Sequence, residues 1–154
     1  MTNVIEARLV QLGITLPAPP APIGTYVPYV VSGNLLFLSG QGPRTRDGQW
    51  LCGRVGERVS VQEAYQHARL AGVRLLAAAQ AALGSLDRVR RVVKVLGFVQ
   101  ATPNFGEHPA VINGCSDLFV EVFGEAGRHA RTSLGVASLP HDITVEIEAV
   151  LEIS

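Results

Sequence analysis

Residues 130–154 read ARTSLGVASLPHDITVEIEAVLEIS, and two stretches within them, 132–138 and 143–153, alternate apolar with polar side chains. That period of two belongs to strands with one buried face. The intervening Leu139-Pro140-His141-Asp142 has the length and turn chemistry of a hairpin loop, so the segment is expected to fold back as an antiparallel pair. Pairing Ser138 with Ile143 sets Val136 opposite Val145, Leu134 opposite Ile147 and Thr132 opposite Ala149 on an apolar face. The other face then collects Arg131, Ser133 and Gly135 with Glu146, Glu148 and Val150.

Upstream, the capping box Ser60-Val61-Gln62-Glu63 opens an alanine-rich helix that stops at Leu83-Gly84. Residues 108–123 place Val111, Ile112, Cys115, Leu118, Phe119 and Val122 at spacings of three and four, which predicts a second amphipathic helix. Residues 91–101 between the helices read as a strand. Residues 26–31 and 34–39 read as a hairpin turning at Ser32-Gly33, and residues 44–56 as a loop with a short strand at 50–52. A short helix over 3–12 ends at Gly13, and four prolines within 17–22 make an extended connector. The order predicts an α+β domain over 23–154, preceded by a helix and connector over 1–22. Two βαβ-type crossovers lay both long helices on one face of a mixed sheet.

Composition narrows the partners. Thirteen basic residues balance thirteen acidic ones, so no net field draws the chain to nucleic acid or to an anionic membrane. The basic cluster Arg88, Arg90, Arg91 and Lys94 is the one local candidate for RNA contact. No leader or spanning run is legible, which points to the cytoplasm. His67, His108, His129 and His141 are scattered, and Cys52 and Cys115 lack metal-ligand spacing, so neither a metal nor a disulfide framework is expected. An apolar fraction of 47% with only 17% charged residues is rich for a lone globule of 154 residues, which suggests that other subunits cover the helix-free sheet face.

The ordered segments Ala130-Arg131-Thr132-Ser133, Ala137-Ser138-Leu139-Pro140 and Val145-Glu146-Ile147-Glu148-Ala149 closely resemble the signature of the RidA (YjgF) family of enamine/imine deaminases. Ile23-Gly24-Thr25-Tyr26 and Leu38-Ser39-Gly40-Gln41 resemble its first two motifs. The resemblance implies a chorismate-mutase-like fold, a homotrimer with clefts between subunits, and cofactor-free hydrolysis of 2-imino acids to 2-oxo acids and ammonia. By position, Arg131 would hold the substrate carboxylate and Glu146 would orient or activate water. Tyr26 would line the pocket, the backbones of Gly40 and Ser133 would add hydrogen bonds, and Ser39 and Ser116 would complete the substrate contacts. Three positions depart from the family pattern: Thr25 replaces a proline, Ser133 a cysteine, and Ser116 stands for a pocket asparagine, with Asn113 one turn earlier.

The chemistry suits these residues. A guanidinium matches a carboxylate with a planar fork of donors, and a carboxylate of raised pKa serves as a base near neutrality. In the hairpin register Arg131 lies beside Val150, four residues from Glu146, or roughly 13 Å. A small imino acid touching both would therefore take them from different chains. Two other readings stay open: a non-catalytic trimer that binds small carboxylates or a partner, and, less favoured, a ribonuclease or translation inhibitor. Arg131 and Glu146 would equally suit ion pairs at a subunit surface.

Overall fold

In a computed structural model that describes residues 3–22 and 24–154, the elements run α1 (Val4–Gln11), β1 (Tyr29–Ser32), β2 (Leu35–Gln41), α2 (Val61–Leu83), β3 (Val89–Gln100), α3 (His108–Phe123), β4 (Ala130–Val136) and β5 (Val145–Ile153). Ile23, the first residue of one family-like motif, lies outside the described residues. The five strands form a single mixed sheet in the order β1-β2-β5-β3-β4. The expected α+β architecture holds, with α2 and α3 packed on each other and on one face of the sheet.

Local signals explain the helices. The Ser60 hydroxyl accepts the Glu63 N–H at 3.1 Å at the start of α2, and Gly84 closes the helix in the left-handed region. Helix α3 spans the residues that the apolar spacing marked. Small residues set the distance between the two helices: a Cβ on Gly114 would stand 1.9 Å from the Tyr65 carbonyl oxygen. Below them, Val95, Val99, Val145, Ile147, Ala149 and Leu151 close the core from the sheet. At the N-terminus, the Asp87 carboxylate receives the N–H groups of Val4 and Ile5 at 2.9 and 2.8 Å, and Leu9 is buried.

The strand assignments need three corrections. First, β4 and β5 do not pair: β4 runs parallel to β3 at the sheet edge, and β5 is inserted antiparallel between β2 and β3. The 139–142 loop is a crossover containing a short 3-10 turn, with His141 and Asp142 both at positive φ. Second, the β4 side chains point opposite to expectation. Val95 pairs with both Arg131 and Ala149, whereas Phe98 pairs with both Leu134 and Glu146. Arg131, Ser133 and Gly135 therefore share the helix-covered face with Ala149 and Ile147, and Glu146 and Glu148 lie on the open face with Thr132 and Leu134. Third, the first hairpin turns at Gly33-Asn34, and its first strand starts only at Tyr29, after Pro28. Residues 50–52 contribute isolated bridges, Arg44 with Trp50 and Cys52 with Ile143, and no strand.

The open face is not fully polar: Val30, Phe37 and Leu134 stand there 51%, 43% and 38% exposed.

Gly114→Ala is expected to lower the unfolding free energy by about 1–3 kcal/mol, because overpacking outweighs the gain in helix propensity of about 1 kcal/mol. Gly106→Ala, whose added Cβ meets nothing within 4 Å, should change it by less than about 0.5 kcal/mol. Urea titrations of both variants check the contrast; a neutral Gly114→Ala would contradict it.

Candidate functional site

The family-like residues fall into two groups at different places on the sheet. One surrounds Arg131 on β4. Its Nη1 donates to Asn113 Oδ1 at 2.7 Å and to Ser116 Oγ at 3.0 Å, and its Nη2 reaches the Pro109 carbonyl at 3.5 Å. Residues 109, 113 and 116 recur along one side of α3, so parallel pairing of β4 beside β3 brings the arginine under that helix face. Both Asn113 and Ser116 serve the same guanidinium, so the asparagine one turn earlier is part of the site and not displaced by the serine. Among the described residues, no carboxylate lies within ion-pair distance of Arg131. Its charge is held by neutral oxygens, which fix the fork without cancelling it. Ser133, two residues on and on the same face, has a buried hydroxyl with no hydrogen-bond partner.

Behind Ser116 stands His129, one of the four histidines whose scatter in the sequence gives no sign of a role. His129 Nδ1 lies 2.7 Å from the Gly127 carbonyl and Nε2 lies 2.9 Å from Ser116 Oγ. A carbonyl only accepts, so Nδ1 carries the proton and Nε2 receives the Ser116 hydroxyl. The serine oxygen is thereby turned to accept from Arg131. Burial pushes the His129 pKa down, opposed by the Gly127 carbonyl and assisted by the Arg131 charge, which keeps the ring neutral for this relay. Burial also pushes the Cys115 thiol up, so this neighbour is no thiolate.

The second group lies in a cleft of about 1020 Å³ lined by Tyr26, Ser39, Gly40, Trp50, Glu146 and residues of the proline connector. A register shift between Leu38 and Gln41 bulges β2 at Ser39 and Gly40. Ser39 Oγ donates to the Val27 carbonyl at 2.6 Å, tying the bulge to the segment that carries Tyr26. A Cβ on Gly40 would meet the Glu146 carboxyl carbon at 3.1 Å, so glycine lets the Glu146 side chain lie flat on the β2 backbone. Glu146 is half-buried, and its pKa is raised, first by burial and then by the Glu148 charge.

Arg131 and Glu146 are two strands and three pairs apart, about 14 Å at ordinary strand spacings, and on opposite faces of the sheet. The same-face separation expected from the hairpin register is replaced by a stronger division: within one chain, no small molecule bridges the two. Among the described residues, no group of three or more His, Cys, Asp or Glu side chains is arranged to hold a metal ion, and no helix is long and apolar enough to cross a membrane.

Comparison with known proteins places this arrangement among relatives. Residues 6–148 match the family model described as "YjgF/chorismate mutase-like, putative endoribonuclease". The Trypanosoma cruzi protein TCP17 is 46% identical, with 97% of this chain and 94% of that protein covered. A 2-iminobutanoate/2-iminopropanoate deaminase from Dermatophagoides farinae is 33% identical over 91% of this chain and 94% of its own length. The crystal structure of Atu1372 from Agrobacterium tumefaciens superposes with a TM-score of 0.91 at 48% identity, covering 99% of this chain and 94% of that one.

The neutral His129 of the native state resists protonation that the unfolded chain accepts, so the stability it contributes is present above its ordinary value of 6.5 and is lost as pH falls below it. His67, also lowered by burial, acts with the same sign. Urea unfolding of wild type should show a loss of stability between about pH 7.5 and 5.5, and His129→Gln should show a smaller one. Equal losses would contradict the assignment.

Proposed function

Because the chain belongs to the YjgF (RidA) family, we propose that it hydrolyses 2-imino acids to 2-oxo acids and ammonia in clefts shared between neighbouring subunits of a homotrimer. The observation that carries this reading is the Arg131 guanidinium, fixed by Asn113 and Ser116 yet in no ion pair among the described residues. Such a group is prepared for an incoming carboxylate. The deaminase relative from Dermatophagoides farinae supports the reaction class.

In the proposed reaction Arg131 holds the carboxylate, and the Gly40 and Ser133 backbones with Tyr26, Ser39 and Ser116 bound the pocket. Water adds to the imine carbon while Glu146 takes its proton. The carbinolamine formed from the protonated imine receives that proton on nitrogen, Glu146 takes the hydroxyl proton as the C=O bond forms, and the C–N bond breaks to release ammonia. No cofactor is called for, because the imine carbon is electrophilic at the outset.

A substrate that meets both groups does so between two chains, which supports assembly. Joining the Glu146 cleft of one subunit to the Arg131 group of the next is a heterologous contact, and a threefold rotation between subunits closes such contacts into the proposed trimeric ring. The apolar residues Val30, Phe37 and Leu134 on the open face favour the same burial. An RNA-cleaving role has less support: in the basic cluster, Arg88 is spent on the Ser154 and Leu83 carbonyls and Lys94 on the Thr132 hydroxyl.

With 2-iminobutanoate released by a threonine dehydratase, wild type should speed appearance of the 2-oxo acid, and Arg131→Ala should lower kcat/KM at least about a hundredfold, the loss of a bidentate charged contact of roughly 3 kcal/mol. A wild type that binds 2-oxobutanoate through Arg131 without turning over the imine would make the protein a carboxylate-binding trimer instead.

A base must be ionised, so the rate should fall as pH drops through the raised pKa of Glu146. Glu148→Gln removes the second cause of that rise, and the acid limb of kcat/KM should move to lower pH. An unmoved limb would contradict Glu146 as the base.

A further inference from the structure

The cleft that holds Glu146 has a cationic wall which the proposed reaction does not use. The Arg44 guanidinium lies 3.8 Å from the centroid of the Trp50 ring, and Arg74 of α2 lies 5.7 Å from the same ring. Trp50 also stacks on His141, with centroids 5.1 Å apart and planes at 12°. Arg74 Nη2 donates to Gln41 Oε1 at 3.1 Å, whereas the Arg44 guanidinium donates to no acceptor among the described residues. The Nε atoms of both arginines are buried without a hydrogen-bond partner. The ion pairs among the described residues are Arg54 with Glu57, Arg69 with Glu121 and Arg128 with Glu125, so neither cleft arginine has a carboxylate.

Two like charges lining one cleft, partly withdrawn from water and held in no ion pair among the described residues, repel each other and leave donors unmet. The repulsion registers on Arg74, whose pKa is lowered first by burial and then by Arg44. The fold nevertheless holds them in place. Arg44 is laid on Trp50, Arg74 is tethered to β2 through Gln41 one residue beyond Gly40, and the indole ring is braced by His141 from the 139–142 crossover. The same cleft carries Glu146.

We propose that Arg44 and Arg74 form a second anion subsite, and that the preferred substrates are imino acids with a distal carboxylate, the imines of acidic amino acids. This inference rests on the imine-hydrolase reading of the same cleft. The α-carboxylate sits on the neighbouring subunit's copy of the Arg131 group, the imine carbon stands at Glu146, and the distal carboxylate lies against the Arg44–Trp50–Arg74 wall. A distal alkyl group at that wall would leave both guanidinium groups without an anion, so the subsite selects against the imines of apolar amino acids.

Calorimetric titration of the intact protein with 2-oxoglutarate and with 2-oxobutanoate tests the subsite without depending on turnover. Wild type should bind the dicarboxylate at least tenfold tighter, the ratio that one charge-assisted hydrogen bond supplies. Arg44→Gln and Arg74→Gln should each cut that ratio at least fivefold, while Arg90→Gln, outside the cleft, should keep it. Iminosuccinate released by D-aspartate oxidase should be hydrolysed with a kcat/KM at least tenfold above that for 2-iminobutanoate. Equal affinity of wild type for the two oxo acids would overturn the subsite, whatever the variants do, and would mean that the arginines meet a carboxylate of a neighbouring subunit. Dicarboxylate preference with no hydrolysis of either imine would keep the subsite and overturn the hydrolase reading.

Discussion

Insertion of β5 between β2 and β3 decides which face of the sheet each functional side chain occupies. It separates β4 from the strand that follows it in sequence and sends β4 to the edge as a parallel neighbour of β3. Because side chains alternate across a strand, that single choice of partner places Arg131 under α3 and leaves Glu146 on the uncovered face. A hairpin of β4 with β5 would have put both on one face of one chain. The observed topology divides them, and the proposed reaction, which uses both, therefore calls for a second copy of the chain.

Much of this was legible in the sequence, and what was not shares a physical reason. The Ser60 cap, the Gly84 stop and the three-four spacing of Val111 to Val122 are local signals, and local signals place α2 and α3 correctly. The half-buried pattern of β5 is also local, and its faces come out as read: Ile147 and Ala149 inward, Glu146 and Glu148 outward. Strand partners are not local. Residues 139–142 have the length of a hairpin loop, but positive φ at His141 and Asp142 turns the chain across the sheet, and nothing in the alternation of 132–138 says which neighbour it will take. The face of Arg131 was misread for that reason alone.

The same limit hid the cationic wall. Arg44 and Trp50 lie in a polar loop without periodicity, Arg74 sits on a helix noted for its alanines, and His141 belongs to the misassigned loop. Only the fold assembles them, next to a glutamate whose proton affinity is already raised by burial. His129 was hidden similarly: its partner Ser116 is thirteen residues away in sequence, on the preceding helix, and the relay to Arg131 exists only once β4 lies under α3.

The proposed reaction centre takes Arg131 from one chain and Glu146 from another. Mixing Arg131→Ala and Glu146→Gln subunits, unfolded and refolded together in equal amounts, tests it most directly by the rate of imine hydrolysis. Each variant alone should be inactive, and random co-assembly should restore about one quarter of the wild-type rate, the fraction of interfaces that pair an intact arginine with an intact glutamate in a head-to-tail ring. Failure of the mixture to recover activity, in assemblies shown to contain both variants, would mean that the two residues do not meet in a shared centre.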